Sequence, residues 1–223
     1  MKKVRIPIDA VSLPAVIRIP ANASGLVIFS HGSGSGHQSP RNNFVASSLE
    51  QNGFATVLAD LLTEAEDADY YLRFNIELLV ERLICVTHWA MKQPGLQGLP
   101  IGYFGASTGA AAALHAASLQ QQVIKAIVSR GGRPDLAMAA LPDVKAPVLL
   151  LVGSLDKQVI ELNYKAYDFL KCHKEIAIVE GASHLFEEAG KLEEVARLAI
   201  VWFDSYLRLH LERNKESLEN SQY

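Results

Sequence analysis

Gly105-Ala106-Ser107-Thr108-Gly109 is the stretch from which the architecture of this chain can be inferred. It follows a short apolar run that ends at Phe104, and an alanine-rich, helix-forming stretch begins at Ala110. A strand, a tight turn holding a serine, and a helix of small residues form the context of a nucleophile elbow. Flanking glycines permit the sharp turn, because a Cβ there would collide with the neighbouring strand or helix. We therefore predict that Ser107 is a nucleophile, rather than a serine in an ordinary turn.

Composition indicates a globular domain and argues against several classes of partner. The chain has 223 residues, of which 49% are hydrophobic and 20% charged, so a single domain with a sizeable core is expected. A net charge of −3 gives no sign of a nucleic-acid surface or an anionic membrane partner. The longest apolar runs have the length of strands, far below the roughly 18 residues of a membrane span, and no signal peptide is evident. Cys85 and Cys172 are far apart in sequence, which predicts reduced thiols and a cytoplasmic location.

The pattern of apolar segments predicts a doubly wound α/β fold with a mostly parallel sheet of about eight strands. Residues 4–8 and 15–19 alternate apolar and polar side chains, which is typical of an antiparallel hairpin at a sheet edge. The other strands are continuously apolar, as parallel strands covered on both faces require; they are residues 26–30, 54–60, 100–104, 123–128, 147–152 and 175–179. We expect residues 1–211 to form one domain with a minimal lid or none. Residues 212–223 are predicted to be a polar tail.

Two strand ends after Ser107 offer an acid and a base. A serine hydroxyl is a weak nucleophile unless a histidine, oriented by a carboxylate, accepts its proton. Asp156 follows the strand at 147–152, and His184 follows the strand at 175–179. The chain order Ser107, Asp156, His184 is that of nucleophile, acid and base in α/β-hydrolases. Asp135 and Asp143 also lie in loops after a strand and remain alternatives for the acid.

The segment after the first buried strand predicts the donors that would stabilise an oxyanion. A His-Gly turn in this place commonly supplies one backbone N–H, which we assign to Ser33, and the second is assigned to the N–H of Thr108. His31 is expected to brace the turn. A dinucleotide-binding glycine loop is the competing interpretation, but His37 stands where the third glycine of that motif belongs.

Arg130 and Arg133 lie close to where the substrate of such a site would bind. Arg130 could hold a substrate carboxylate through its two-pronged guanidinium group. Alternatively, both arginines could pair with Asp135 or with the acidic segment 64–69, and we favour this structural interpretation.

With these residues in place, the chain resembles α/β-hydrolases of the dienelactone-hydrolase-like group. The resemblance runs from about residue 25 to residue 206 and rests on the His-Gly turn, the serine pentapeptide, Asp156 and His184. The runs 39–42, 102–109, 129–136 and 184–188 resemble small bacterial hydrolases that also occur fused to phosphoribosyltransferase domains. Dienelactone hydrolase uses a cysteine nucleophile whereas this chain has Ser107, so its lactone specificity is not carried over.

The resemblance and the residues together predict a serine hydrolase of a small ester or lactone. We expect no metal and no organic cofactor, no nucleic-acid or membrane partner, and leave the oligomeric state, a homodimer included, open. The same three residues would also serve an acyltransferase or a perhydrolase. A third interpretation is a non-catalytic binding module built on a hydrolase fold.

Overall fold

The computed structural model describes residues 1–208, and these residues form a sheet of eight strands with helices on both faces. The spatial order of the strands is β1-β2-β4-β3-β5-β6-β7-β8. Their bounds are β1 (Lys2–Ile8), β2 (Val11–Arg18), β3 (Gly25–Ser30), β4 (Phe54–Ala59), β5 (Ile101–Ala106), β6 (Ile124–Arg130), β7 (Val148–Gly153) and β8 (Lys174–Val179). The predicted fold class is thereby confirmed. The proposed tail at 212–223 lies outside the described residues.

The sheet is parallel except at its N-terminal end. β1 pairs antiparallel with β2, and β2 pairs antiparallel with β4, whereas the remaining neighbours are parallel. The leading hairpin is therefore present as expected. It lies at the edge of the sheet, with β1 outermost and β2 joining the hairpin to β4.

Residues 1–208 contain six α-helices, of which all but the short α2 cover the two faces of the sheet. α3, α4 and α5 bury apolar residues on one face together with the hairpin, while α1 and α6 pack on the other. Helix formation in α4 follows from its run of four alanines, whose small side chains also let it approach the sheet closely. The bounds are α1 (Pro40–Gln51), α2 (Glu64–Ala68), α3 (Ile76–Ala90), α4 (Thr108–Leu119), α5 (Lys157–Phe169) and α6 (Lys191–Phe203).

The sequence leaves room for an inserted lid only in residues 61–69 and 131–145, and both contain short helical segments. The first holds α2, and a 3₁₀ turn at Leu72–Phe74 follows it. The second is the 3₁₀ segment Pro134–Asp143, which is attached to the core through buried Leu141. A minimal lid is thus consistent with the described part of the chain.

The carboxyl ends of the parallel strands bring the predicted site residues to one edge of the sheet. Ser33 follows β3, Ser107 follows β5, Arg130 ends β6, Asp156 follows β7, and His184 follows β8. In open α/β sheets this edge is where ligands bind.

Candidate active site

Ser107 lies in a sharp turn between β5 and α4. Its backbone has φ 51° and ψ −123°, and such a conformation costs a non-glycine residue about 1–3 kcal/mol. A Cβ on Gly105 would lie 2.5 Å from the Cα of Ala110, and one on Gly109 would collide with the carbonyl oxygen of Ser30. The Ser107 side chain makes no capping bond to its own helix. The strained turn therefore keeps the hydroxyl available at the carboxyl edge of the sheet.

His184 and Asp156 form a hydrogen-bonded pair. His184 Nδ1 lies 2.6 Å from Asp156 Oδ2. Because an ionised carboxylate only accepts hydrogen bonds, Nδ1 carries the proton and Nε2 is left as the basic nitrogen. The His184 side chain is 39% exposed and that of Asp156 is 16% exposed. The pair thus places an oriented, basic imidazole nitrogen where a substrate can reach it.

The loop after β6 contacts both Ser107 and His184. The amide of Ser107 donates to the carbonyl oxygen of Arg130 at 3.3 Å, and the amide of Arg133 donates to the carbonyl oxygen of Ser107 at 3.0 Å. A Cβ on Gly131 would lie 3.5 Å from Cε1 of His184. Within residues 1–208 the side-chain hydrogen bond of His184 is to Asp156, and none joins it to Ser107. Such bonds are often long in free enzymes and shorten in the substrate complex.

Neither alternative acid is hydrogen-bonded to His184 in the described part of the chain. Asp135 accepts two hydrogen bonds of 2.8 Å from Arg133, and Asp143 ends the 3₁₀ segment after β6. Of the three loop aspartates, Asp156 is the one that contacts His184.

The two residues predicted to supply oxyanion donors contact each other. The backbone N–H of Ser33 donates to Thr108 Oγ1 at 3.0 Å. Thr108 is the first residue of α4, so its own N–H has no acceptor one turn earlier in the helix. The turn holding Ser33 lies against Ser107, since a Cβ on Gly32 would be 3.0 Å from Cβ of Ser107. The N–H of Thr108 is therefore available to a ligand, whereas that of Ser33 is already bonded.

His31 braces the turn after β3. Its Nε2 accepts from the amide of Leu61 at 2.9 Å, and its Nδ1 lies 3.0 Å from the carbonyl oxygen of Gly32. These contacts require a neutral ring with the proton on Nδ1. Burial lowers the pKa of His31, which favours that neutral form.

Arg130 and Arg133 have different surroundings. Arg133 is paired with Asp135, as the structural interpretation expects. Arg130 is 7% exposed, and within residues 1–208 its Nε and Nη1 have no hydrogen-bond partner. Burial, together with the positive charge of Arg41, lowers the pKa of Arg130 to about 10, so the guanidinium remains charged at neutral pH. The expected pairing with an acidic residue therefore holds for Arg133 but not for Arg130.

A cavity of about 460 Å³ lies farther along the same edge, and His31 and Arg5 are among its lining residues. His37 and Asp60 also line it, with Nδ1 of His37 2.9 Å from Asp60 Oδ1 and the His37 amide 2.5 Å from the same oxygen. Sequence reasoning missed this second His–Asp pair. The available signal was that Asp60 directly follows the buried strand β4.

Two further classes of feature are absent from the described part of the chain. Residues 1–208 contain no group of three or more His, Cys, Asp or Glu side chains that could hold a metal ion. Over the same range no helix has the length and apolar character needed to cross a membrane.

Comparison with known proteins assigns the chain to a family. Residues 13–202 match the Dienelactone hydrolase family. The chain is 48% identical over 206 residues to a Mycobacterium tuberculosis protein provisionally named a phosphoribosyl transferase. That match covers 92% of this chain but 46% of the relative, so the chain spans about half the relative's length.

Solved structures agree with this assignment. A dienelactone hydrolase from Anabaena variabilis is 50% identical, with a TM-score of 0.90 over 93% of this chain and 98% of that one. Est1E from Butyrivibrio proteoclasticus has a TM-score of 0.78 over 90% of this chain and 97% of its own, at 17% identity, which is a similarity of fold alone. Together the family and the fold support hydrolase activity. The chain belongs to the dienelactone hydrolase family.

Proposed function

We propose that this protein is a serine hydrolase that cleaves a small carboxylic ester or lactone through an acyl-enzyme on Ser107. The observation that carries the proposal is the 2.6 Å hydrogen bond between His184 and Asp156. It orients a basic imidazole at the same sheet edge as a serine held in a strained turn. Family membership supports hydrolysis as the reaction class.

The mechanism assigns each group a separate task. His184 Nε2 takes the proton from Ser107 Oγ as that oxygen bonds to the substrate carbonyl carbon, and Asp156 stabilises the imidazolium that forms. Collapse of the tetrahedral intermediate expels the alcohol, which receives the proton from His184. Water then adds to the acyl carbon as His184 accepts its proton, and cleavage of the bond from that carbon to Ser107 Oγ releases the carboxylic acid while His184 returns the proton to Ser107. The N–H of Thr108, at the positive end of α4, stabilises the oxyanion in both halves of the reaction.

Arg130 supplies a basis for recognising an anionic group of the substrate. A buried guanidinium without a counter-charge is destabilised by several kcal/mol, and a ligand carboxylate would compensate it. Arg130 pairs in register with Ala106, the residue directly before the nucleophile. On β6 its side chain shares the face of Val128, which packs towards the α1 and α6 layer. The anionic substrate group that Arg130 binds would therefore lie on the side of the scissile bond that faces α1 and α6.

Replacement of the nucleophile tests the proposal directly. Ser107→Ala should lower kcat for p-nitrophenyl acetate and butyrate by at least about 10⁴-fold, since a triad without its nucleophile retains only residual catalysis. A fluorophosphonate probe should label the wild-type protein at one site per chain and leave the variant unlabelled. Equal hydrolysis of both esters by the two proteins would refute the assignment.

A further inference from the structure

The hydroxyl of Thr108 has a proton that the contacts described so far do not use. Thr108 Oγ1 accepts the Ser33 N–H at 3.0 Å, and the residue is 2% exposed. A threonine hydroxyl can accept and donate at the same time. Within residues 1–208 Oγ1 takes part in that one hydrogen bond, so the hydroxyl proton has no acceptor there. A buried donor directly beside the nucleophile is thus left for a ligand.

The same contact bears on how Ser33 could assist catalysis. A backbone N–H has a fixed direction, and Thr108 Oγ1 lies at a normal hydrogen-bond distance from it. A substrate oxygen that bonded to the Ser33 N–H would have to occupy the place of this hydroxyl oxygen. Direct donation therefore requires the Thr108 side chain to leave a packed position at the start of α4. An oxygen placed beside the hydroxyl requires no such displacement.

We propose that the Thr108 hydroxyl is a catalytic donor that stands between the Ser33 N–H and the oxyanion, a role that rests on the proposed nucleophile Ser107. As Ser107 Oγ bonds to the carbonyl carbon, the carbonyl π electrons move onto the oxygen, which accepts hydrogen bonds from the hydroxyl and the N–H of Thr108. The hydroxyl keeps its proton throughout. The Ser33 N–H polarises that hydroxyl, because hydrogen bonds in series strengthen one another.

Removal of the Thr108 hydroxyl distinguishes a hydroxyl that donates to the oxyanion from one that only blocks the Ser33 N–H, because the two predict different values of kcat. If the hydroxyl donates, Thr108→Val should lower kcat for p-nitrophenyl butyrate by about 10²- to 10³-fold, the usual effect of losing one oxyanion donor. KM should change little. Because Thr108→Ser keeps a hydroxyl, its kcat should stay within a few-fold of the wild-type value. If the hydroxyl only blocks Ser33, Thr108→Val should be as active as the wild type or more active. That result would overturn the inference.

A matched control separates catalysis from loss of a buried hydroxyl. Thr87 is also fully buried, and its Oγ1 donates to the carbonyl oxygen of Leu83 within α3 and bonds to the hydroxyl of Tyr103. Thr87→Val should lower thermal stability and leave kcat within a few-fold. Should Thr108→Val fail to fold, Thr108→Ala compared with Thr108→Ser isolates the same hydroxyl, and equal kcat values for these two variants would overturn the inference.

An oxyanion analogue supplies a second readout. A trifluoromethyl ketone forms a hemiketal oxyanion with an active serine, so Thr108→Val should weaken its inhibition by a factor comparable to the fall in kcat/KM. Unchanged inhibition would contradict a donor role. Ser107→Ala separates the proposed nucleophile from the proposed donor. If Ser107→Ala is inactive while Thr108→Val is fully active, the assignment of Ser107 stands and the role of Thr108 fails.

Discussion

Two His–Asp pairs lie at the same edge of the sheet, and their surroundings differ. Asp156 accepts from the imidazole of His184, whose side chain is 39% exposed and contacts the loop beside Ser107. Asp60 accepts from both the imidazole and the backbone amide of His37, whose side chain is 13% exposed. The first carboxylate orients a ring that is open to solvent, whereas the second also holds a loop in place. A His–Asp hydrogen bond alone does not identify a catalytic dyad, and its position relative to the strained Ser107 is the informative property.

The largest expected effect comes from breaking each pair in turn. His184→Gln removes the base and should lower kcat for p-nitrophenyl butyrate by about 10⁴- to 10⁶-fold, because the nucleophile then has no proton acceptor. His37→Gln should lower the melting temperature and change kcat by less than tenfold. Steady-state kinetics and thermal unfolding of both variants measure the contrast. Comparable loss of kcat in the two would mean that the second pair also takes part in the chemistry.

A smaller effect is expected from the two arginines after β6. If Arg130 binds a carboxylate, Arg130→Gln should lower the ratio of kcat/KM for the p-nitrophenyl monoester of glutaric acid to that for p-nitrophenyl valerate. Loss of a charge-assisted hydrogen bond predicts a change of about 10- to 150-fold, and the two esters differ only in the terminal carboxylate. Arg133→Gln is the matched control, because Arg133 is paired with Asp135, and its ratio should equal that of the wild type. Equal losses on both esters in Arg130→Gln would assign that arginine to structure.

The smallest effect concerns His31, a histidine with no carboxylate partner of its own in the described hydrogen bonds. Burial lowers its pKa, so below about pH 6.5 the unfolded chain binds a proton that the folded chain does not. The contribution of His31 to the free energy of unfolding is therefore fully present above that pH and decreases as the pH is lowered. Urea unfolding at pH 7.5 and 5.5 should show a larger decrease in the free energy of unfolding for the wild type than for His31→Gln. Identical decreases would show that His31 does not contribute.

Most of the fold could be predicted because its signals are local. All eight strands were located, since apolar runs of five to seven residues and the alternation in the hairpin are properties of short segments. The site candidates Ser107, Asp156 and His184 were chosen in the same way, from glycine-rich turns that follow strands. The hairpin was likewise expected at a sheet edge, where the structure has it, but a local pattern could not say that β4 is the strand that pairs with β2.

What could not be predicted depends on groups that approach across long stretches of chain. The contact between Ser33 and Thr108 joins a loop to the start of a helix 75 residues away. The pairing of His37 with Asp60 likewise forms only once β3 and β4 lie side by side. The sequence shows that Arg130 has an aspartate five residues away, but it does not show that Arg133 binds that carboxylate first. Turns and strands follow from the preferences of neighbouring residues, whereas hydrogen-bond partners and uncompensated charges follow from distances that exist only in the folded chain.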